Sequence, residues 1–582
     1  MENVKEMSID QLKNLANEIR QKILKATSQN GGHLSSNLGV VELTIALHQI
    51  FDFPKDTLIF DVGHQCYTHK ILTGRDDLTN LRQNDGISGF IDPTESPYDA
   101  FATGHSSTAV SLAIGKAIQN QMNGIKSEVI ALVGDASATN GLTLEALNYL
   151  GAHPELKVII IINDNNMSIS PNVGALAKAF NKVRIKREKA FIFKITPRFM
   201  HRFLTRMKNS FKDTIYNKTL FDAFNLKFIP GIDGHDFKEL AKYLTLAKKY
   251  PRTVVLHVKT TKGKGYQPAE NDKTGAWHSV DPFDLKTSLP LEEKKQTVGE
   301  VLGSTLCELV AENKIKVITS AMTLGCGLSS FSQKYPEHLI DVGIAEENAV
   351  AISAGLAGAD VTPIVFVYST FLQRAYDQIV NDLVRAHKHV VFCVDRAGLV
   401  SGDGSTHQGI YDLAMLLPLP NVTIFAPSTM NEAVLCLRKS LSLDGVVVIR
   451  YPKYLPMDED TMTSDYQILK PLKDLTVVTY GADASSLERQ LSEEVGLIKV
   501  LKLKELDKNL FDELQKAKEI IVYEQVSGNV CLATILQSEF NKRGSSVIIK
   551  SIAINDYHHF KGNIDDMKHM IGLELPKELL KK

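Results

Sequence analysis

The chain has 582 residues, 44% of them hydrophobic and 23% charged, with a formal net charge of −1. It is too long for one core, so about three domains are expected, and the balanced charge offers no global field for nucleic acid or an anionic membrane. The six cysteines (Cys66, Cys307, Cys326, Cys393, Cys436, Cys531) form no C-x-x-C pair, and no leader core or bilayer-spanning run stands out, so a cytoplasmic protein without integral membrane association is expected.

Ser8 with Gln11 forms a capping-box pattern ahead of an amphipathic helix, DQLKNLANEIRQKILKAT. That helix is predicted to end near Asn30-Gly31-Gly32, with His33 just beyond. Residues 57–63 (TLIFDVG) read as a short strand, after which GHQCYTHK sets His64, Cys66 and His69 close together. A zinc site there lacks a second ligand cluster. In ATGHSSTAVSLAIGKAI (Ala102 to Ile118), a turn over Gly104, His105, Ser106 and Ser107 enters a small-residue helix. Its backbone N–H groups suit an anion, or Ser106 or Ser107 is a plain N-cap.

The most informative stretch is a βαβ unit. The strand VIALVGDA stops at Gly134-Asp135-Ala136, the helical run TLEALNYLG follows, and the strand KVIIIIN ends at Asn163-Asp164-Asn165-Asn166-Met167. Polar residues then stand at the carboxyl ends of neighbouring parallel strands, where open α/β sheets bind ligands. Asp135 offers a carboxylate and Asn165 an amide oxygen, donors that suit a small hard cation which also takes phosphate oxygens. The plain alternative is loop punctuation.

From 177 to 213 positive residues crowd in with Phe, Ile and Leu. Such a run can face a membrane or nucleic acid; here it is read as a mobile cover over a site for anions. FIPGIDGHD, the strand TVVLHVKT and the turn TKGKGYQPAE follow, the last carrying Lys262 and Lys264. Residues 281–297 read as an inter-domain linker. From Val298, strands KVITSAM and HLIDVGIAEENAV lead to Glu346, which a helix N-terminus would also favour as a plain carboxylate. Tyr368, Phe371 and Arg374 lie in IVFVYSTFLQRAYDQIVND, and Arg396, Asp403 and His407 in VVFCVDRAGLVSGDGSTHQGIYD. An Arg fork suits a carboxylate or phosphate, and a His titrates in the acid/base range. VVVIRYPKY, with Lys453, ends this domain. After a linker at about 455–470, four strand-like runs alternate with helical ones, a small α/β domain expected to serve packing and dimer contact.

GGHLSSNLGVVELTIALH (Gly31 to His48), DVGHQCYTHKILTGR (Asp61 to Arg75) and NDNNMSISPNVGAL (Asn163 to Leu176) resemble segments of the 1-deoxy-D-xylulose-5-phosphate synthase family, which is transketolase-like and dependent on thiamine diphosphate. The resemblance runs from about residue 8 to about 555. It implies three α/β domains with mostly parallel sheets in a transketolase-like thiamine-diphosphate-binding fold. These are a diphosphate/Mg domain (1–285), a pyrimidine domain (298–460) and a C-terminal domain (471–582), with the cofactor between the first two. It implies Mg2+ on Asp135, Asn165 and Met167, and cofactor contacts from His64, Gly104, His105, Ser106, Gly134, Asp135, Ala136, Asn165, Lys264, Phe371 and Glu346. Glu346, His33 and His407 would move protons. Ser36, His278, Tyr368, Arg374, Arg396, Asp403, His407 and Lys453 would contact substrate. In the family the Glu hydrogen-bonds the aminopyrimidine and favours the imino form that deprotonates the thiazolium carbon.

Three words depart from the family pattern: Ala136 replaces the last glycine of GDG, Glu347-Asn348 replaces Gln-His, and Lys453 replaces an Arg that grips phosphate. The implied reaction condenses pyruvate with D-glyceraldehyde 3-phosphate, with loss of CO2, in a homodimer. Its rivals are transketolase-type ketol transfer, and a paralogue that binds thiamine diphosphate without turnover.

Overall fold

Three open sheets organise the chain, seen in a computed structural model that describes residues 4–165, 174–175, 220–358, 360–402, 404–457, 464–555, 560 and 562–581. The first sheet follows three helices. In α1 (Ile9–Asn30) the apolar residues Leu12, Ala16, Ile19, Ile23 and Ala26 recur every three or four positions and are all buried, the stripe a core-facing helix requires. Ser8 and Gln11 close the predicted capping box, and Gly31 at φ +70° ends the helix where an L side chain would be strained. Next come α2 (Leu34–Gly39) and α3 (Val41–Ile50).

Strands β1 (Thr57–Phe60), β2 (Val129–Gly134), β3 (Ile159–Asp164), β4 (Lys227–Asp233) and β5 (Val254–Lys259) lie in the order β1-β2-β3-β5-β4, every pairing parallel. Helices cover both faces. Ile159 and Ile161 face the core that α1 and α3 complete, while Ile160 and Ile162 face the core completed by α4 (Ala109–Met122) and α5 (Gly141–Ala152). That explains the unbroken β-branched run. Each of the four isoleucines is at most 1% exposed, and burying each contributes roughly 1.5–3 kcal/mol. The register pairs Gly134 with Asn163, so the polar residues just beyond both come out at one carboxyl edge.

The second sheet runs β10-β11-β9-β8-β6-β7, all parallel, from β6 (Ile315–Thr319), β7 (Leu339–Asp341), β8 (Thr362–Tyr368), β9 (Val390–Asp395), β10 (Val422–Phe425) and β11 (Val446–Arg450). The third runs β12-β14-β13-β15-β16, from β12 (Tyr466–Lys470), β13 (Leu475–Thr479), β14 (Gly496–Val500), β15 (Glu519–Ser527) and β16 (Ile548–Ile554). Here β12 is antiparallel to β14 and the other pairings are parallel. This corrects the linker expected to reach 470: Tyr466–Lys470 is an edge strand, and with Ile468 41% exposed it lacks the apolar alternation that marks a covered one.

The chain divides into two compact units, Met1–Leu81 with Ile87–Leu291, and Arg82–Gly86 with Glu292–Lys582. Within the second unit one apolar core runs under both sheets, from Val365 and Phe392 to Val478 and Ile498. A buried Glu432–Lys499 pair at 2.6 Å adds a polar tie between them. Among the described residues no helix is long and apolar enough to cross a membrane.

Candidate active site

At the carboxyl edge of the first sheet, backbone hydrogen bonding fixes Asp135. Its N–H donates to the Asn163 carbonyl (3.1 Å), while Oδ1 accepts from Ala136 N (2.9 Å) and Oδ2 from Asn165 N (3.2 Å). A Cβ built on Gly134 meets no described residue within 4 Å. The Lys262 side chain belongs to the same neighbourhood. Burial pushes its ammonium down to about 8, against the pull of Asp135 and Asp272. Lys264, expected to border the cofactor, uses its carbonyl to accept from Arg20 Nε at 3.1 Å.

Three imidazoles gather in this unit. The His33 ring lies 5.2 Å from His64, 5.8 Å from His278 and 5.1 Å from Phe90, and His64 lies 5.1 Å from His278. Asn37, on α2, sets two of them by donating to the carbonyls of His33 (2.6 Å) and His64 (2.7 Å) while accepting from Tyr67 N (2.9 Å). Ser36 Oγ sits 3.4 Å from His278 Nδ1. Burial first, then the charges of Lys262, His64 and His33, hold His278 well below the usual imidazole range. It is neutral at pH 7.

Gly104, His105 and Ser106 form the turn ahead of α4 as expected, but the capping differs. Thr108 occupies the N-cap position and makes no side-chain cap bond. The Asp61 carboxylate, from the end of β1, accepts instead from Ser107 N (2.9 Å) and Ala109 N (3.2 Å). Neither Ser106 nor Ser107 is the N-cap, and these two amides already serve an anion of the chain's own. Of the trio weighed for zinc, His64 joins the imidazole cluster, Cys66 is a buried thiol pushed up to about 12, and His69 bonds to His48.

The second unit assembles a different chemistry. Glu346 opens the helix Glu346–Leu356 and is 5% exposed. Its Oε2 makes no hydrogen bond among the described residues, and Arg374 Nη1 stands 3.6 Å away. Burial pushes this carboxyl up to about 7, with Arg374 opposing. Tyr368 and Phe371 stack 5.7 Å apart and within 4° of parallel, and His407 meets Phe371 edge-on at 5.7 Å.

The Arg396 guanidinium lies 4.6 Å over the Tyr368 ring, with Nη1 on Asp395 (2.6 Å) and Nη2 on the Gly325 carbonyl (3.4 Å). The Tyr368 hydroxyl donates to the same carbonyl at 3.1 Å. Arg450 is spent on buried Asp412, at 2.7 and 3.3 Å. Lys453 Nζ stands 5.0 Å over the Tyr454 ring.

The structure therefore groups His33, Ser36, His64 and His278 in one unit, and Glu346, Tyr368, Phe371, Arg374, Arg396 and His407 in the other. Met167, Asp403 and the basic segment 177–213 lie outside the described residues. Sequence reading passed over Asn37, Asp61, Phe90 and Asp395. For Asp61 and Asp395 a signal existed, a carboxylate at the carboxyl end of an apolar strand.

Residues 1–260 match the family model described as 1-deoxy-D-xylulose-5-phosphate synthase, and residues 294–457 that of the transketolase pyrimidine-binding domain. The 1-deoxy-D-xylulose-5-phosphate synthase of Clostridium tetani is 39% identical over 100% of this chain and 98% of that protein. The synthase of Geobacillus thermodenitrificans is 38% identical over 98% and 95%, and that of Syntrophomonas wolfei 43% over 83% and 78%. A transketolase structure from Campylobacter jejuni aligns with 98% of this chain and 99% of its own at 19% identity and a TM-score of 0.42, too distant to add weight. With relatives above 30% identity along nearly its whole length, the chain belongs to the 1-deoxy-D-xylulose-5-phosphate synthase family.

Proposed function

We propose that this chain, as a homodimer, condenses pyruvate with D-glyceraldehyde 3-phosphate to give 1-deoxy-D-xylulose 5-phosphate and CO2, using thiamine diphosphate and Mg2+. Two observations test the fit of the cofactor. Asp135 and Asn165 stand at neighbouring strand ends beside Gly134, where an added Cβ meets no described residue, and offer a carboxylate and an amide oxygen of the hard type that Mg2+ and a diphosphate share. Glu346 holds a buried carboxyl oxygen that makes no hydrogen bond among the described residues, in a unit with stacked aromatic rings. Both fit.

Bound thiamine diphosphate supplies the carbon nucleophile for the keto group of pyruvate and the electron sink for loss of CO2. The chain's own residues do the rest. Glu346, titrating near neutrality, holds a proton at an aminopyrimidine nitrogen. The imidazoles of His33 and His64 and the neutral His278 exchange protons at substrate oxygens, and His407 is placed for the same task beside Phe371. Arg396 and Lys453 would hold substrate anions, and Lys262, in the electrostatic neighbourhood of Asp135, would help hold the diphosphate.

The carrying observation is Glu346: a carboxyl buried without a full set of partners is costly unless a ligand uses it. The test supplies the purified protein with both substrates, thiamine diphosphate and Mg2+, and measures CO2 and sugar. Equal yields of CO2 and 1-deoxy-D-xylulose 5-phosphate are expected. Ketose phosphate turnover without CO2 would mark a transketolase, and cofactor binding without any product would mark a binding protein.

A further inference from the structure

The C-terminal domain, which carries no catalytic motif, grips the loop that begins at Arg396. Inside that loop Gly398 and Gly409 exchange backbone hydrogen bonds at 2.7 and 2.9 Å. The Gln408 side chain accepts from Val400 N and donates to the carbonyls of Val400 and Gly404. Three outer grips come from the third sheet's domain: Gln525 Oε1 accepts from Leu399 N (3.2 Å), the Gly562 carbonyl from Gly402 N (3.2 Å), and Ser527 N donates to the Ile410 carbonyl (3.0 Å). Arg82 Nε also donates to the Gly402 carbonyl (2.6 Å) and Thr370 Oγ1 to the Thr406 carbonyl (3.3 Å).

We propose that Gln525 is a positioning residue for Arg396, so that the C-terminal domain sets the grip on a substrate anion. This rests on the anion role given to Arg396 above. The amide of Gln525 has only one useful orientation. Its Nε2 donates to both oxygens of Asp483 at 2.8 Å, and a carboxylate only accepts, so Oε1 must face Leu399. Asp483 is in turn held by Lys568 Nζ at 2.7 Å.

The chain of contacts runs from Lys568 through Asp483 and Gln525 to a backbone amide three residues past Arg396. It passes Gly398, at φ +88°, where a Cβ would sit 3.2 Å from Gln525 Oε1. Arg396 itself has φ +59°, a left-handed conformation for a bulky residue, and a Cβ on Gly409 would collide with its carbonyl. Such a backbone persists when its surroundings over-determine it. Loosening the Gln525 bond releases one of those constraints and lets the guanidinium leave Tyr368.

Steady-state kinetics on Gln525→Leu, Arg396→Lys and the double variant test this, with thermal melting as control. Gln525→Leu is expected to raise the KM of one substrate about tenfold with kcat little changed and the melting point unmoved, the pattern of lost ground-state binding. The penalty should be largely absorbed in the double variant, since residues acting through one contact are non-additive. Should Gln525→Leu fold poorly, Lys568→Met reads the same coupling with a smaller rise in the same KM. A native KM in Arg396→Lys overturns the anion role and this inference with it. A raised KM there with native values in both Gln525→Leu and Lys568→Met, or fully additive penalties, overturns the positioning role alone.

Discussion

The first unit offers a ring of bases and the second a carboxyl among arginines and aromatic rings, and burial acts on them with opposite signs. In the first, desolvation is the leading cause that holds His278 well below its usual range and pushes Lys262 down to about 8. In the second, desolvation is the leading cause that pushes Glu346 up to about 7 and raises Asp395. Water exclusion disfavours whichever form is charged. Both sets are therefore moved toward neutrality at the pH where proton exchange is most useful, although one consists of acids of the cationic kind and the other of carboxylic acids. Low polarity alone tunes both halves, and neighbouring charges trim the result.

The comparison breaks most visibly at Glu346. Replacing it by Gln keeps shape and burial but removes the proton carrier, so turnover should fall by about 1,000-fold or more, while cofactor affinity stays close to native. Hydrogen–deuterium exchange at the thiazolium carbon reports it directly; exchange at the native rate would remove Glu346 from that role. On the other side, Asp135→Ala should weaken Mg2+ and cofactor binding together, on the order of 100-fold, because under the proposed function its carboxylate would hold the ion that the cofactor needs. A calorimetric titration with unchanged cofactor affinity would sink that assignment.

Stability against pH sharpens the same contrast. Glu346 in the fold titrates near 7, above its ordinary 4.5, so the folded chain binds the proton more tightly than the unfolded one. That contribution is complete below 4.5 and is lost as pH rises through 7. Without cofactor, Glu346→Gln should gain on the native protein between about pH 5 and pH 8, by up to ~3 kcal/mol. Denaturant unfolding at both pH values measures the gain. A difference independent of pH would mean the carboxyl is not held protonated.

Much of this was legible in the chain. The run of isoleucines in β3 and the Gly-Asp and Asn-Asp-Asn words mark a parallel strand pair and its ligand edge, because both follow from local pattern. What escaped depends on contacts distant in sequence. Asn37 gains its role only when the carbonyls of His33 and His64 arrive together, and Asp61 caps a helix 48 residues on. Lys262 and Lys264 look alike in TKGKG; the fold withdraws the Lys262 ammonium from water near Asp135 and Asp272 and sets the Lys264 carbonyl against Arg20. Gln525 sits in a domain whose words carry no chemistry, and its hydrogen bond to Leu399 spans 126 positions.

The smallest effect expected is at Lys453, and it decides which base of the second unit holds the acceptor phosphate. Three candidates stand in the sequence. Arg450 is committed by two hydrogen bonds to buried Asp412, and turning outward would leave that carboxylate buried and unpaired. Arg396 is stacked on Tyr368 and tied to Asp395. Lys453 forms no ion pair among the described residues and is only half-buried, over Tyr454. It is the base most able to meet an incoming anion. A single ammonium replaces the two-pronged contact of an Arg, so the acceptor should be held about tenfold less tightly than an Arg would hold it, the equivalent of one charge-assisted hydrogen bond. Lys453→Arg is then expected to lower the KM for glyceraldehyde 3-phosphate without raising kcat much, and to widen the preference over unphosphorylated glyceraldehyde. Lys453→Ala should raise that KM and narrow the preference. Equal acceptor constants in the native protein and Lys453→Ala would return the phosphate to Arg396, and with it the whole anion grip to the loop that Gln525 braces.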